Sequence, residues 1–462
     1  MKKNKAMAFS GNSDQITLFD TPILSFMDKD SSKGDKTNKY RGSANPKLQI
    51  VERLNKDYEM KWAERLGVDN NLTRSLVSFQ ANKGRAVYRW FKYKEAFSAG
   101  LVEYLLNKQK ISGGTLLDPF AGVGTALFAA SRHGMKAEGI ELLPIGQTII
   151  ETRKVIESDL KPYDIKQLEF WRDVRPWSSA KTKRKINELR ITKGAYPLET
   201  IEQMGSFLAA LEEENEPVKA TLFFAFLCIL ESVSYTRKDG QYLRWDYRAG
   251  RCKVKKIFDK GEILPFDQAM TEKLNEIISD LRAVDIPDDL FAATRLKGEV
   301  ILHPGSCLSL LPNLKTKSFD CIITSPPYCN RYDYTRTYAL ELALLGIDEK
   351  GLAKLRQEML SCTVENRTKD ILSHNPKWKL PVSVADNQEL LQVVLSYLNE
   401  QKDLGLLNNN GIPRMVRGYF YEMACVIYEC SRIMKSGALF IMVNDNVRYS
   451  GASIPVDIIL SE

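Results

Sequence analysis

Two short segments hold residues whose types and spacing could do chemistry together. The first is Thr324-Ser325-Pro326-Pro327-Tyr328, directly after the apolar run Ser318-Phe319-Asp320-Cys321-Ile322-Ile323. Consecutive prolines fix φ and carry no N–H, so the carbonyls of Ser325 and Pro326 become acceptors in a rigid frame. Such a frame suits a planar amine that must be held by accepting its N–H bonds, and Tyr328 offers a ring on which a flat base can stack. Ser325 can give or take one further bond. The second segment, far upstream, is Leu116-Leu117-Asp118-Pro119-Phe120-Ala121-Gly122-Val123-Gly124-Thr125. Gly122 and Gly124 permit a tight turn and close backbone approach to a ligand. Glu141 ends the next apolar run, where a carboxylate can accept both hydroxyls of a ribose. With two glycines at this spacing, the segment lacks the three-glycine fingerprint of dinucleotide dehydrogenases.

These residues need a frame. A strand at 115–117, a glycine turn, a helix at 126–133 and a strand at 137–140 predict the opening of a doubly wound α/β unit. A helix at 101–106 precedes it. The rhythm stops at about 150 and resumes with strands at 298–302 and 319–324. Between them, apolar spacing predicts helices over 201–211, 220–230 and 268–281. A second helical insertion covers about 338–415. A helix over 423–434 follows, with Gly437 at its C-terminal end, and then a strand over 438–443. The expected organisation is a disordered polar arm at 1–45, a helical segment with the first half of the sheet at 46–150, an inserted region at 151–297, and the second half at 298–462.

The totals narrow the class. A chain of 462 residues suffices for a sizeable core. No apolar run is long enough for a membrane span, and the basic start is followed by no signal-like stretch, so a cytoplasmic protein is expected. The eight cysteines form no Cys-x-x-Cys pair and read as reduced and buried. Three scattered histidines make a His-based metal site an unsuitable reading. The net charge of +8 is concentrated. Eight Lys/Arg lie between Arg172 and Lys193, and nine between Arg237 and Lys260, interleaved with Trp171, Trp177, Tyr242, Trp245 and Tyr247. That pattern suits a phosphate backbone. A solvated helix face with ordinary core aromatics fits it equally.

The two motifs together resemble the S-adenosylmethionine-dependent amino-methyltransferases of DNA. Asp-Pro-Phe-x-Gly-x-Gly-Thr at 118–125 is the form their cofactor motif takes, and Thr-Ser-Pro-Pro-Tyr at 324–328 their reacting motif. The resemblance implies a Rossmann-like doubly wound sheet with large helical insertions. It implies S-adenosylmethionine contacts from Phe120, from Asp118 at the amino-acid end and from Glu141 at the ribose. The Lys94 to Ser98 segment looks like the motif that closes over the methionine portion, placing Tyr93, Lys94 and Phe97 near it, although a helix cap with a buried aromatic also explains Phe97. Ser306 stands where many relatives have an acid, and could bond the adenine amine. Ser rather than Asp at the head of the reacting motif is typical of cytosine-N4 enzymes. The expected activity is therefore a site-specific DNA (cytosine-N4)-methyltransferase of a restriction–modification system. Rivals are an adenine-N6 enzyme, an RNA guanine-N2 enzyme, and a non-catalytic DNA-binding subunit.

The motif order, cofactor first with a long insert between, resembles the alpha arrangement, in which the insert reads double-stranded DNA. Arg237, Lys238, Gln241 and Arg244 are the candidate contacts, with a structural hairpin as the alternative. Arg331 and Arg336 could reach phosphates beside an extruded nucleotide. After the strand at 438–443 no further strands are evident, whereas family members add two. The expectation is a sheet completed by a second polypeptide, or a truncated form. Finally, Gln15-Ile16-Thr17-Leu18-Phe19 resembles a sliding-clamp docking peptide; a chance apolar patch is the other reading.

Overall fold

The computed structural model describes residues 4–12, 15–17, 23–25, 45–239, 242–251, 257–284 and 296–462. Its strands, in chain order, begin with β1 (Asn4–Asn12), β2 (Gln15–Thr17), β3 (Ile23–Ser25) and β4 (Leu66–Val68). Two central strands follow, β5 (Thr115–Asp118) and β6 (Lys136–Glu141), then the hairpin pair β7 (Thr236–Asp239) and β8 (Tyr242–Trp245). Then come β9 (Val300–Pro304), β10 (Phe319–Thr324) and β11 (Met434–Asp445). Past β11, where no further strand was expected, lies a separate antiparallel pair, β12 (Val447–Tyr449) and β13 (Ala452–Ile454), that does not join the central sheet.

Five strands in the order β11-β10-β5-β6-β9 run parallel and form the centre of the sheet. Parallel strands covered on both faces read as apolar runs, and Cys321, Ile322 and Ile323 of β10 are all fully buried. From β5 the chain winds outward through β6 to β9, then crosses back to lay β10 on the other side of β5. The strand order therefore reverses between β5 and β10. Ligands in open α/β sheets bind at such a reversal, outside the carboxyl ends of the strands.

The sheet does not stop at β11. β1 pairs antiparallel with it, from Asn4 opposite Asp445 to Ser10 opposite Leu439. β3 joins β1, and β4 joins β3. The edge expected to be open is thus taken by backbone from the segment expected to be a disordered arm. Residues 4–12 and 23–25 thus stand in strands, and this edge of β11 is paired within the chain. A parallel sheet with a bare edge leaves a row of unpaired N–H and C=O groups, and an upstream segment supplies their partners here. β2 pairs with β1 through Gln15–Thr17, while Leu18 and Phe19 of the clamp-like patch lie outside the described residues.

Gly437 was expected to end a helix. The helix instead spans Ile412–Ile433, and Gly437 lies inside β11 at φ 79°. Phe319 pairs with Met434 but Cys321 with Leu439, so the extra residues of β11 bulge there. A bulge takes a left-handed residue that only glycine adopts without strain.

The inserted region is helical as predicted: Pro162–Val174, Leu198–Ala210, Glu216–Ile229 and Phe266–Val284. It shares one apolar core with Tyr93, Ile145 and Tyr338 of the sheet half, so it packs onto the sheet rather than standing apart. Trp171 and Trp177, which the charge pattern placed at a phosphate surface, are 1 % exposed and stack on each other at 5.8 Å in this core. Their indole N–H groups donate to Glu214 and Asp267. The core reading of these aromatics is the correct one. Among the described residues seven cysteines are free, six of them buried; Cys252 is outside those residues. Among the described residues no helix is long and apolar enough to cross a membrane.

Candidate functional site

One pocket at the carboxyl end of β5, β6 and β10 gathers most of the singled-out residues. Asp118, Pro119, Phe120, Gly122, Thr125, Glu141, Phe97, Ser306, Ser325 and Pro327 all line it. The turn after β5 explains why. Gly124 caps the helix Thr125–Arg132 at φ 77°, a left-handed conformation, and a Cβ there would lie 2.9 Å from Ile150 and Phe128. Only glycine fits. Gly122 has φ 56°, and its Cβ would meet the Tyr93 ring at 3.3 Å.

The two motifs, 206 positions apart, are hydrogen-bonded: Thr324 Oγ1 donates to Asp118 Oδ1 at 2.6 Å. The same oxygen accepts the Phe120 N–H at 3.0 Å. Adjacent strands make this possible, since β5 and β10 pair in parallel register, Leu116 with Cys321 and Leu117 with Ile322. Glu141 accepts the N–H of Gly122 at 2.7 Å on Oε2 and that of Leu143 at 2.6 Å on Oε1, so its carboxylate stitches the glycine turn to the end of β6.

Burial disfavours the charged form of both carboxyls and makes them weaker acids. Asp118 is pushed up to about 7 by burial, against the opposing pull of its bonds from Thr324 and Phe120. Glu141 is pushed up to about 7 by burial, opposed by its backbone bonds, with the nearby Asp118 charge adding to the rise. Two buried carboxyls beside one cavity favour a ligand that brings positive charge or hydroxyl donors.

Ser325 Oγ donates to the Tyr328 hydroxyl at 3.3 Å, and burial pushes the Tyr328 phenol up to about 12. Tyr328 is half-buried and, with Pro326, lies beside the pocket lining rather than in it. Ser306 Oγ donates to the Glu358 carbonyl at 3.0 Å.

Several expected contacts are placed elsewhere. Lys94 is absent from the lining; its ammonium donates to the Lys238 carbonyl at 2.9 Å, while Tyr93 and Phe97 do line the pocket. Lys238 is buried and pairs with Glu341 beneath the Tyr338 ring, so it is a core ion pair and cannot meet DNA. Strand alternation is the cause: β7 turns Thr236 and Lys238 inward and Arg237 and Asp239 outward. Arg237 is exposed, Arg244 pairs with Asp239 at 3.3 Å, and Gln241 lies outside the described residues. Arg331 donates to Asn408 at 3.0 Å, and Arg336 pairs with Asp333 at 3.3 Å and Glu365 at 3.1 Å.

Other pocket residues escaped sequence reasoning. Glu358, Met359 and Leu360 come from the second insertion, where no motif marks them. Glu95 lines the pocket and accepts bonds from the hydroxyls of Tyr332 and Tyr338. It sits inside the Lys94 to Ser98 segment, and a lone acid among aromatics was the available signal.

No family model matches the chain. No solved structure matches it either. Among curated proteins, Type II methyltransferase M.AvaI from a Nostoc species is 52% identical over 415 residues, covering 90% of this chain and 85% of that protein. Type II methyltransferase M.BsoBI from Geobacillus stearothermophilus is 37% identical over 436 residues, covering 88% and 83%. Type II methyltransferase M.MvaI from Kocuria varians is 22% identical over 379 residues. Similarity at this level over nearly the whole length, in a chain whose glycine turn and proline corner share one pocket, means that it belongs to the Type II methyltransferases.

Proposed function

We propose that the chain transfers a methyl group from S-adenosylmethionine to the exocyclic N4 amine of cytosine at a specific site in double-stranded DNA, as the modification enzyme of a restriction–modification pair. One observation carries the reading: Ser325 and Pro327 line the same pocket as the Asp118 to Thr125 turn, with Thr324 bonded to Asp118.

The pocket residues fit the cofactor. A Cβ at Gly122 would crowd the Tyr93 ring, so the bare backbone lets that ring, itself part of the pocket wall, close against the glycine turn. Both bonds described for Asp118 fall on Oδ1, leaving Oδ2 for the ammonium end of the ligand. Glu141 can accept the ribose hydroxyls on its remaining lone pairs. Phe120 and Phe97 offer apolar faces, and Ser306 a hydroxyl for the adenine amine. When bound, S-adenosylmethionine supplies an electrophilic methyl group on a sulfonium.

Everything else falls to the protein. The amine of cytosine is a poor nucleophile because its lone pair is delocalised into the ring. Carbonyls of Ser325 and Pro326 that accept its N–H bonds favour a tetrahedral nitrogen and free that lone pair. The Thr324 to Asp118 bond ties this corner to the cofactor turn, so donor and acceptor are held by one rigid unit. Tyr328 stacks on the extruded base. The nitrogen gives up its proton after the methyl arrives, so no strong base is required beforehand. Residues 151–297 form the region proposed to read the target, with Arg237 and Arg244 on its hairpin.

Nucleoside mass spectrometry of duplex DNA incubated with the protein and S-adenosylmethionine tests the reading. N4-methylcytosine is expected. N6-methyladenine would overturn the choice of base, and methylation of RNA alone would overturn the choice of substrate.

A further inference from the structure

We propose that a cationic cleft in the second helical insertion grips the phosphate backbone of duplex DNA beside the base being modified. The inference rests on the reading of the chain as a DNA methyltransferase and adds where the duplex is held. The cleft lies between residues 361–371, the helix Glu389–Asp403 and the first turns of the helix Ile412–Ile433.

Its charge is one-sided. Arg367, Lys369, Lys402, Arg414 and Arg417 line it against a single carboxylate, Glu422. Glu422 is 1 % exposed and already held by Lys369 at 2.9 Å. The other four cations are exposed, and among the described residues no carboxylate pairs with them. Two are braced by uncharged partners: Arg414 donates to the Val364 carbonyl at 2.8 Å, and the Arg417 guanidinium lies 4.0 Å from the Tyr421 ring centre. Guanidinium groups held in place without a counter-ion are suited to phosphate oxygens. A concave surface of one sign also concentrates a polyanion.

Position supports the assignment. Leu360 lines the methyl-transfer pocket, and the next residue, Ser361, lines the cleft. The helix Ile412–Ile433 runs directly into β11 at its amino end, so its first turns stand at the sheet edge that bears the carboxyl ends. Arg331, three residues beyond Tyr328, donates to Asn408, just before that helix. By contrast, the hairpin β7–β8 has Lys238 in the core and Arg244 paired, which leaves the cleft with more unpaired cations.

The test uses the full-length chain and a fluorescein-labelled random-sequence duplex, with anisotropy read across a salt series. The variants are R414A/R417A, R367A/K402A and the charge-keeping R414K/R417K. Each alanine pair should weaken duplex binding about tenfold and flatten the log–log salt slope by about 2, since each phosphate contact contributes about 0.9. Calorimetric affinity for S-adenosylmethionine should match that of the parent, and R414K/R417K should retain the parent slope. If the parent methylates duplex DNA while both alanine pairs keep its affinity and slope, the cleft assignment fails alone. Loss of binding to structured RNA with duplex binding untouched overturns it too. A parent that neither binds nor methylates duplex removes the underlying reading together with the cleft.

Discussion

Tyr328 and Gly124 separate the two halves of the proposed reaction. Replacing Tyr328 with Ala removes a stacking surface worth about 1–3 kcal/mol per base, so single-turnover methyl transfer should fall about 5- to 150-fold. Cofactor affinity should change little. Gly124→Asp should show the reverse, because a side chain at φ 77° collides with Ile150 and Phe128 and distorts the turn. Equilibrium binding of S-adenosylmethionine, measured beside transfer, distinguishes the two losses. The buried carboxyls give a pH signature. Asp118 and Glu141 both titrate at about 7 when folded, above the ordinary carboxylate range. Between roughly pH 4 and 7 the folded chain therefore binds more protons than the unfolded one. Their contribution to stability is complete below the ordinary carboxylate value and is lost as pH rises toward 7. A ligand that needs these groups ionised should release protons on binding near pH 6 to 7, which calorimetry in buffers of different ionisation heat would detect. Stability rising across that window, or binding without proton release, counts against the two carboxyls.

Helices and strands carried different amounts of readable information. β5, β6 and β10 were legible because continuous apolar runs ended in glycine or proline turns, and the pocket they create follows from those turns. Lys238 was not legible, because β7 is too short for a period of two to stand out and a basic tetrapeptide looks like surface. Glu358 to Leu360 were not legible either: they reach the pocket only through the path of an insertion that carries no motif. The burial of Lys238 has a measurable consequence. Lys238→Met leaves Glu341, 1 % exposed, without its cation, which typically costs about 3–5 kcal/mol. Urea unfolding should show that loss, and K238M/E341Q should recover much of it. Duplex affinity of the folded variant should stay near that of the parent, the opposite of what a DNA-contacting lysine would give.

Across the whole molecule the sheet is assembled from distant parts. β10 and β11 follow the long inserted region, and β1, from the start of the sequence, flanks β11. Sequence patterning could not reveal that pairing, since nothing local in Asn4–Asn12 names a partner more than four hundred positions away. Removing residues 1–12 should expose one edge of β11. Hydrogen exchange should quicken in the shortened chain at those amides of residues 439–445 that face β1, while those facing β10 and those of β5 stay protected. Unchanged exchange at 439–445 would mean that β11 does not depend on β1.

The pairing of Asn4 with Asp445 also sets an order of events during biosynthesis. A ribosome adding about 5–20 residues per second releases β1 roughly 20 to 90 s before its partner emerges. Through that interval the nascent strand waits with nothing to zip onto, open to capture by other chains or by chaperones. Yield in the cell is therefore expected to respond to translation speed and holdase supply, even where the finished enzyme is stable.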